Sequence, residues 1–470
     1  MPGFGGILSI ARSALSTSQT AVQIASHNIA NASTEGYSRQ REVLSARAPE
    51  RTPQGVFGTG VTLASVQRQR DALLDQEYRD STSQAGAFTT RSELLQRVEN
   101  VFGEPSDTGL ASTLDRFYSA WSELASDPTN ASARTAVQQS GATLARTLNS
   151  MASQIGALSA ETVEKAQTLV TDVNRIARQV AELNGQIVSM ESSGATAGDL
   201  RDQRDVLLDK LSAMAATRVI ERSDGSVQVL LGTISLVDGT AAKQIQLTSS
   251  GSLGFKIVGS PDNIRSIGGS LGALQDVHDT DISNVTATLD TLAAGIVADT
   301  NALHRTGWSP TAGAAGNWNP LAPPTGSQVD FFDATPGNDT AARIALSATV
   351  SASAASIAAG TTFGEPGDNG LALSMAGLRD SAPSAADTNF GSDYRTLVGG
   401  VAGQLSQAKN STTVFGTLTD QANQRRTAVF GVSVDEELIQ IMRQQQAYAA
   451  ASKIIKTVDE MMQTLLSLKQ

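Results

Sequence analysis

The stretch that most constrains this chain is its last, Ser433 to Gln470. Ser433 and Glu436 have the spacing of a capping box, and Asp435, Glu436 and Glu437 set negative charge against the positive end of a helix dipole. No Pro or Gly interrupts the segment, and Lys469 supplies a cation at the other end. At 1.5 Å per residue the helix spans about 55 Å. Its apolar residues form two adjacent seams. One is Val434, Leu438, Ile441, Tyr448, Ile455, Met462 and Leu466, with three-four coiled-coil spacing; the other, one step round, is Ile454, Val458, Met461, Leu465 and Leu468. Two seams need more than one partner.

The other end of the chain offers a match. Leu8, Ala11, Leu15, Ser18, Val22, Ala25 and Ile29 step by three and four, and their small members permit close helix approach. The two termini are therefore expected to pair, at a loop-closure cost that grows only slowly over the roughly 400 residues between them. Such pairing covers the N-terminal stripe but only part of the wider C-terminal one, and neighbouring copies would cover the rest. The competing reading is an ordinary core helix.

A length of 470 residues implies two or three domains. The net charge is −11, with Lys and Arg dispersed, which argues against nucleic-acid binding, since phosphate recognition needs clustered cations. Only 4% of residues are aromatic, which suits extended helical architecture rather than a dense enzyme fold. There is no cysteine, so neither disulfides nor thiolate metal sites arise. Met1 to Ser16 has no secretory signal pattern, and no apolar run is long enough to span a membrane, so composition alone places the chain in the cytosol.

After Ile29 the run Asn31 to Tyr37 breaks the first helix: Asn31 can take a left-handed cap and Gly36 a positive φ, after which the chain reads extended. Pro49 to Gly60 reads as a connector, and Val61 to Leu63 as a short strand. Helical seams follow at Leu110 to Leu124, Leu144 to Leu158 and Ala166 to Met190. The last two allow one helix from Gly141 to Ser192, close to 75 Å long, with a kink or break near Gly156 and Ser159. A short helix beginning at Asp199 folds back along it, and its Asp202, Arg204 and Asp205 either cross-link rod helices by charge-assisted hydrogen bonds or form a solvated charged face. From Arg218 the period becomes two, with Asp224-Gly225 and Asp238-Gly239 as hairpin turns. The Pro- and Trp-bearing segment Gly307 to Gly337 reads as an exposed connector.

The run Asn28-Ile29-Ala30-Asn31-Ala32-Ser33-Thr34-Glu35-Gly36-Tyr37-Ser38-Arg39 resembles the N-terminal signature of bacterial flagellar rod, hook and hook-associated axial proteins. Interior stretches narrow the resemblance to the hook-associated protein 1 family: Leu183-Asn184-Gly185-Gln186-Ile187, Asp199 to Asp205, Gly269 to Leu274, Asn301 with His304, Gly431 to Glu437, and Gln444 to Tyr448. The resemblance implies a structural subunit exported unfolded through the flagellar type III channel and self-assembling at the hook tip. Its partners would be further copies of itself, the hook protein, a second junction protein beside the filament and an export chaperone. Localisation would be extracellular, on the flagellum, which reverses the cytosolic reading.

The expected fold is mainly α with a small β portion: an elongated rod-like helical bundle, paired terminal coiled-coil helices and a small antiparallel β unit. Residues 1–48 with 431–470 would form the terminal domain, and 49–306 with 340–430 the rod, whose β unit lies at about 217–260. Residues 307–339 would stand in place of a reduced outer domain. The assembly interface is expected at Leu8, Leu15, Val22, Ile29, Asn31, Gly36, Tyr37, Leu438, Ile441, Tyr448, Ile455, Val458, Met462, Leu465 and Leu466. Another axial subunit, or a coiled-coil surface adhesin, are the alternatives.

An enzyme reading has one foothold. Gly268-Gly269-Ser270-Leu271-Gly272 matches a nucleophile elbow, with Asp290 or Asp299 and His304 following in hydrolase order. The pattern belongs atop a parallel sheet, whereas helices and hairpins precede Ser270 here. His27, His278 and His304 are too separated for a metal triad, and Asp276, Asp279 and Asp281 lack the rest of a calcium loop. No catalytic residue, cofactor, metal or membrane insertion is expected.

Overall fold

The structure, a computed structural model, describes residues 4–52, 55–249, 251–260, 263–309, 329–384 and 389–468. Helix α1 (Phe4–Ala30) leads into a ribbon of β1 (Gln40–Ala46), β2 (Glu50–Thr52), β3 (Gly55–Phe57) and β4 (Val61–Arg68). In it β1 pairs antiparallel with β4, and β2 with β3. This replaces the expected connector and three-residue strand. Strand β4 alternates half-buried and exposed positions from Val61 onward, while most of β1 is exposed and gives no apolar alternation by which a strand is read.

Helix α2 (Ala72–Phe102), capped by Asp71 accepting from the Leu73 amide, was not anticipated. The reason is physical: over its first three turns the buried positions are Asp75, Arg79 and Ser83, and apolar burial begins only at Leu94. Then come α3 (Leu110–Ser126), α4 (Ala131–Ser192) and α5 (Gly198–Met214). Helix α4 is a single run of 62 residues, about 93 Å long. It passes Gly156 unbroken because its partners change there, not its backbone. The first half takes contacts such as Asn149 Nδ2 to the carbonyls of Ala341 and Ile344, and the second half carries the β unit.

That unit is an antiparallel sheet of β5 (Thr217–Glu221), β6 (Val227–Leu231), β7 (Ile234–Asp238) and β8 (Ala241–Ala242), with a hairpin of β9 (Ile245–Ser249) and β10 (Leu253–Ile257). Gly225 and Gly239 take positive φ in the two turns read from the sequence. Two α4 asparagines act as surrogate strand partners. Asn174 exchanges two 2.8 Å bonds with the backbone of Ile245, while Asn184 accepts from the Val227 amide at 3.1 Å and donates to its carbonyl at 3.0 Å.

The return path runs through α6 (Gly269–Asp276), a π-helical turn at Val277–Ile282, α7 (Ser283–His304), α8 (Ala348–Ala352), α9 (Gly370–Gly377), α10 (Phe390–Phe430) and α11 (Val434–Ser467). Helix α10 lies antiparallel on α2, with Phe102 beside Tyr394 and Phe88 stacked on Phe415 at 5.3 Å. The main core fills the rod with residues from α2 to α10 and contains none from α1 or α11. At its centre, Trp121 meets Phe331 at 5.5 Å, and Phe331 meets Phe332 at 4.9 Å. Phe331 and Phe332 thus belong to the core rather than to an exposed connector. Asn301 makes this possible by accepting from both their amides at 2.9 Å and donating to the Phe332 carbonyl. The remainder of that connector, 310–328, lies outside the described residues, as do 469 and 470.

Trp121→Ala should lower rod stability by about 3–5 kcal/mol, because the fully buried indole leaves a cavity that its aromatic neighbours cannot close. Guanidinium unfolding midpoints measure this.

Candidate functional site: the terminal helix pair and its joint

Helices α1 and α11 pack antiparallel. Asn28 near the end of α1 donates to Glu437 in the first turn of α11 at 3.1 Å, and Leu8 shares a groove with Ile455. On this register α11 continues past the level of Phe4, so its last turns overhang its partner. Ser433 caps α11 by accepting from the Glu436 amide. Glu436 does not reach back as a capping box would; its carboxylate pairs with Arg39 at 2.9 Å.

The seams divide unevenly. On α1 the buried positions are Ala11, Ser13, Ser18, Ala21, Ile24, Ala25 and Asn28, whereas Leu8, Leu15, Val22 and Ile29 are half-buried. On α11 only Glu437, Ala451 and Val458 are buried; Ile441 and Ile455 are half-buried, and Leu438, Tyr448, Met462, Leu465 and Leu466 are exposed. Of the second seam only Val458 is covered, while Leu465 and Leu468 retain 53% and 77% of their surface, so that seam is largely open in a single subunit. An apolar face of this length costs free energy in water until something covers it.

The signature run ties this pair to the rod. Asn28, which sequence reasoning did not single out, is its hub. Its carboxamide accepts from the Tyr37 hydroxyl at 2.8 Å and the Gln40 amide at 3.0 Å, and donates to the Gln40 carbonyl. Burial raises the Tyr37 phenol above its usual range, and the nearby Asp199, Asp202 and Glu437 carboxylates add to the shift, so the hydroxyl stays a donor. Asn31 does not adopt the expected left-handed cap; Ser266 is the one non-glycine with positive φ among the described residues. The helix exits instead through ordinary turns, with Asn31 Nδ2 donating to the His27 carbonyl at 3.0 Å. Gly36 does take φ +77, and a Cβ there would stand 2.2 Å from Val206 Cγ2 of α5. Both chirality and contact require glycine.

Ser38 then enters a buried ionic network. Its amide and hydroxyl donate to Asp202 at 3.0 and 2.7 Å, and Arg68 bonds Asp202 at 2.6 Å and Asp205 at 2.9 Å. Arg70 forks onto Asp75, Arg79 onto Asp205 and Asp209, and Arg426 of α10 onto Asp75 and Asp209. Four arginines face four aspartates from β4, α2, α5 and α10, so charge is balanced out of water. Burial would lift the Asp205 carboxyl, but Arg70, Arg68 and Arg79 hold it well below the carboxylate range. Asp202 goes the other way: burial outweighs Arg68 and Ser38 and raises it. Arg204 leaves this cluster to bond Asn184 and the Gly225 carbonyl, locking the β unit, with burial depressing its guanidinium to about 10. The cross-linking expected of this triad is therefore present, and it reaches further than rod helices alone, to the start of the ribbon.

The elements of the hydrolase motif are committed elsewhere. The Ser270 hydroxyl donates to the Gly86 and Ala213 carbonyls, Asp299 accepts from Ser384, and His304 holds the Val329 carbonyl with Nδ1 and the Ala358 amide with Nε2.

With this geometry in view, comparison with known proteins is direct. Residues 95–317 match the family described as flagellar hook-associated protein FlgK helical domain; 8–37 match flagella basal body rod protein, and 427–468 match flagellar basal body rod FlgEFG protein C-terminal. The chain is 28% identical to flagellar hook-associated protein 1 of Bacillus subtilis, across 98% of this chain and 97% of that one. It is 23% identical to flagellar hook-associated protein 1 of Salmonella typhimurium, across 98% and 100%. The solved flagellar hook junction protein FlgK of Burkholderia pseudomallei superposes with a TM-score of 0.64 at 17% identity, over 75% of this chain and all of that one. Terminal segments of the basal-body rod type around a hook-associated helical domain define a flagellar axial protein. Within that class, the chain is similar over nearly its whole length to flagellar hook-associated protein 1.

Gly36→Val should destabilise the joint by about 2–3 kcal/mol, from backbone strain and the clash with Val206 together. Loss of hydrogen-exchange protection at Ser38 and Gln40, with Trp121 fluorescence unchanged, is the expected signature. Asp205→Asn should cost about 3 kcal/mol at neutral pH by stranding buried arginines. Because the folded Asp205 titrates below its unfolded value, its contribution is present above about pH 4 and lost as pH falls further, so the gap between wild type and variant should narrow there. Denaturant midpoints at pH 7 and pH 3 check the sign.

Proposed function

We propose that this chain is a structural subunit of the flagellum that self-assembles at the hook tip, joining hook to filament. One observation carries the reading: α11 presents an apolar face that α1 is too short and too narrow to cover, while the rod core closes without either helix. The exposed Leu438, Tyr448, Met462, Leu465 and Leu466, with Leu8, Leu15, Val22, Ile29, Ile441, Ile455 and Val458 beneath them, are then the inter-subunit interface. Asn31, Gly36 and Tyr37 contribute by fixing how the helix pair leaves the rod.

In this reading 1–48 with 431–470 form an inner-tube domain and the rest a rod, whose core takes in Phe331 and Phe332 from the 307–339 segment that stands in place of a larger outer domain. The hook protein lies below, and a second junction protein above, towards the filament. The subunit reaches its site unfolded, through the flagellar export channel with a chaperone, and ends outside the cell. The chain works by packing, not by catalysis.

Deletion of Ile454–Gln470 tests this. The segment carries the whole second seam, and each buried side chain of this kind is worth about 1.5–3 kcal/mol. The truncated protein should keep its main thermal transition and fail to appear at hook tips, leaving cells with hooks and no filaments. A truncated subunit that still supports filaments would move the assembly contacts to the rod.

A further inference from the structure

Residues 1–70 hold seven arginines against three glutamates, in a chain whose net charge is −11. Arg39, Arg68 and Arg70 are used in the joint. Arg47 and Arg51, in the distal half of the β1–β4 ribbon, are exposed and form no ion pair among the described residues. Beside them at the tip, Val56 keeps 64% of its surface. The base of the ribbon rests on α1, but its tip extends past Ser13, and a two-stranded ribbon that is not covered is at best marginally stable in water.

A surface of matching charge exists on the same molecule. Between the signature loop and the α4–α5 pair lies a groove of about 640 Å³, lined by Glu35, Glu182 and Asp199 with Gln186, Gln203 and Tyr37. Glu35 and Glu182 are exposed and form no ion pair among the described residues.

The ribbon cannot reach the groove of its own subunit. Its base is fixed at Asn28 through Gln40, and its distal end at Ser13, whose hydroxyl accepts from the Val61 amide at 3.4 Å. Fifteen residues of α1 separate these anchors, about 22 Å, and the tip points away from the groove, which lies beyond the end of α1. Only another copy, displaced along the helix axis, can bring one to the other.

We infer that the ribbon tip of each subunit docks in the acidic groove of a neighbouring copy, placing Arg47 and Arg51 against Glu35 and Glu182. This rests on the assembly reading above and adds to it a second contact, outside the terminal helices. It gives the subunit a polar, register-setting interaction beside an apolar one that is tolerant of sliding.

Charge exchange in the full-length protein tests it. Arg47→Glu with Arg51→Glu, and separately Glu35→Arg with Glu182→Arg, should each reduce incorporation at the hook tip by at least about tenfold. Combining all four should restore it to near wild type, and Arg47→Lys with Arg51→Lys should retain it. All four positions are exposed, so an unchanged thermal transition excludes misfolding, and a photo-crosslinker at Val56 should join the signature loop, α4 or α5 of a second copy. If either reversed pair incorporates normally, if the combination is no better than its parts, or if Val56 crosslinks elsewhere, the contact is refuted while the junction reading stands. If wild type itself is absent from hook tips, both fall.

Discussion

The buried network of Arg68, Arg70, Arg79 and Arg426 with Asp75, Asp202, Asp205 and Asp209 is the constraint on which the rest of the architecture depends. It is a poor way to gain stability, since desolvating eight charges offsets most of their attraction. What it provides is a fixed geometry, because each forked contact tolerates little displacement. The end of the ribbon, the starts of α2 and α5 and the end of α10 all meet there. The α1–α11 pair leaves the rod at this same place, through Ser38 on one side and Phe430 on the other, whose carbonyl accepts from the Arg39 amide. A helix pair more than 30 Å long that is hinged at a soft joint would present its open seam in many directions; here it has one.

The two halves of the molecule are accordingly built by different physics. The rod is closed by aromatic and aliphatic packing along α4, with asparagines at 174, 184 and 301 satisfying backbone groups that no strand or helix reaches. The terminal pair is held by small residues at close approach and by a few polar links at one end. The first half is finished as a monomer. The second is a core with one wall missing.

How much of this was legible in the sequence follows from where the information lies. The terminal helices, the α3 and α4 seams and the two Asp-Gly hairpins were readable because apolar spacing and turn chemistry are local properties. Helix α2 was not, because its buried face is charged, and a face that reads as solvated becomes buried only when partners from α5 and α10 arrive. Asn28 and Glu437 were hidden for the same reason: each looks like surface until the other, 409 residues away, is beside it. Phe331 and Phe332 were lost in a Pro- and Gly-rich neighbourhood whose composition outweighed two residues of core. In the site, Gly36 could be placed from turn chemistry, but the second reason for glycine there, Val206, is visible only in three dimensions.

The contact between Asn28 and Glu437 joins the first helix to the last across nearly the full length of the chain. In kinetic terms this is a contact of extreme sequence separation, so the helix pair cannot form before both ends are free to meet. The rod closes by distant contacts too, since α2 packs on α10 through Phe88 on Phe415 and Phe102 beside Tyr394. Because α10 ends at Phe430 and α11 begins at Val434, neither the rod nor the helix pair can close until almost the whole chain is free to fold. The long separation of the termini thus makes the pair, with its open apolar seam, one of the last features of the fold to form.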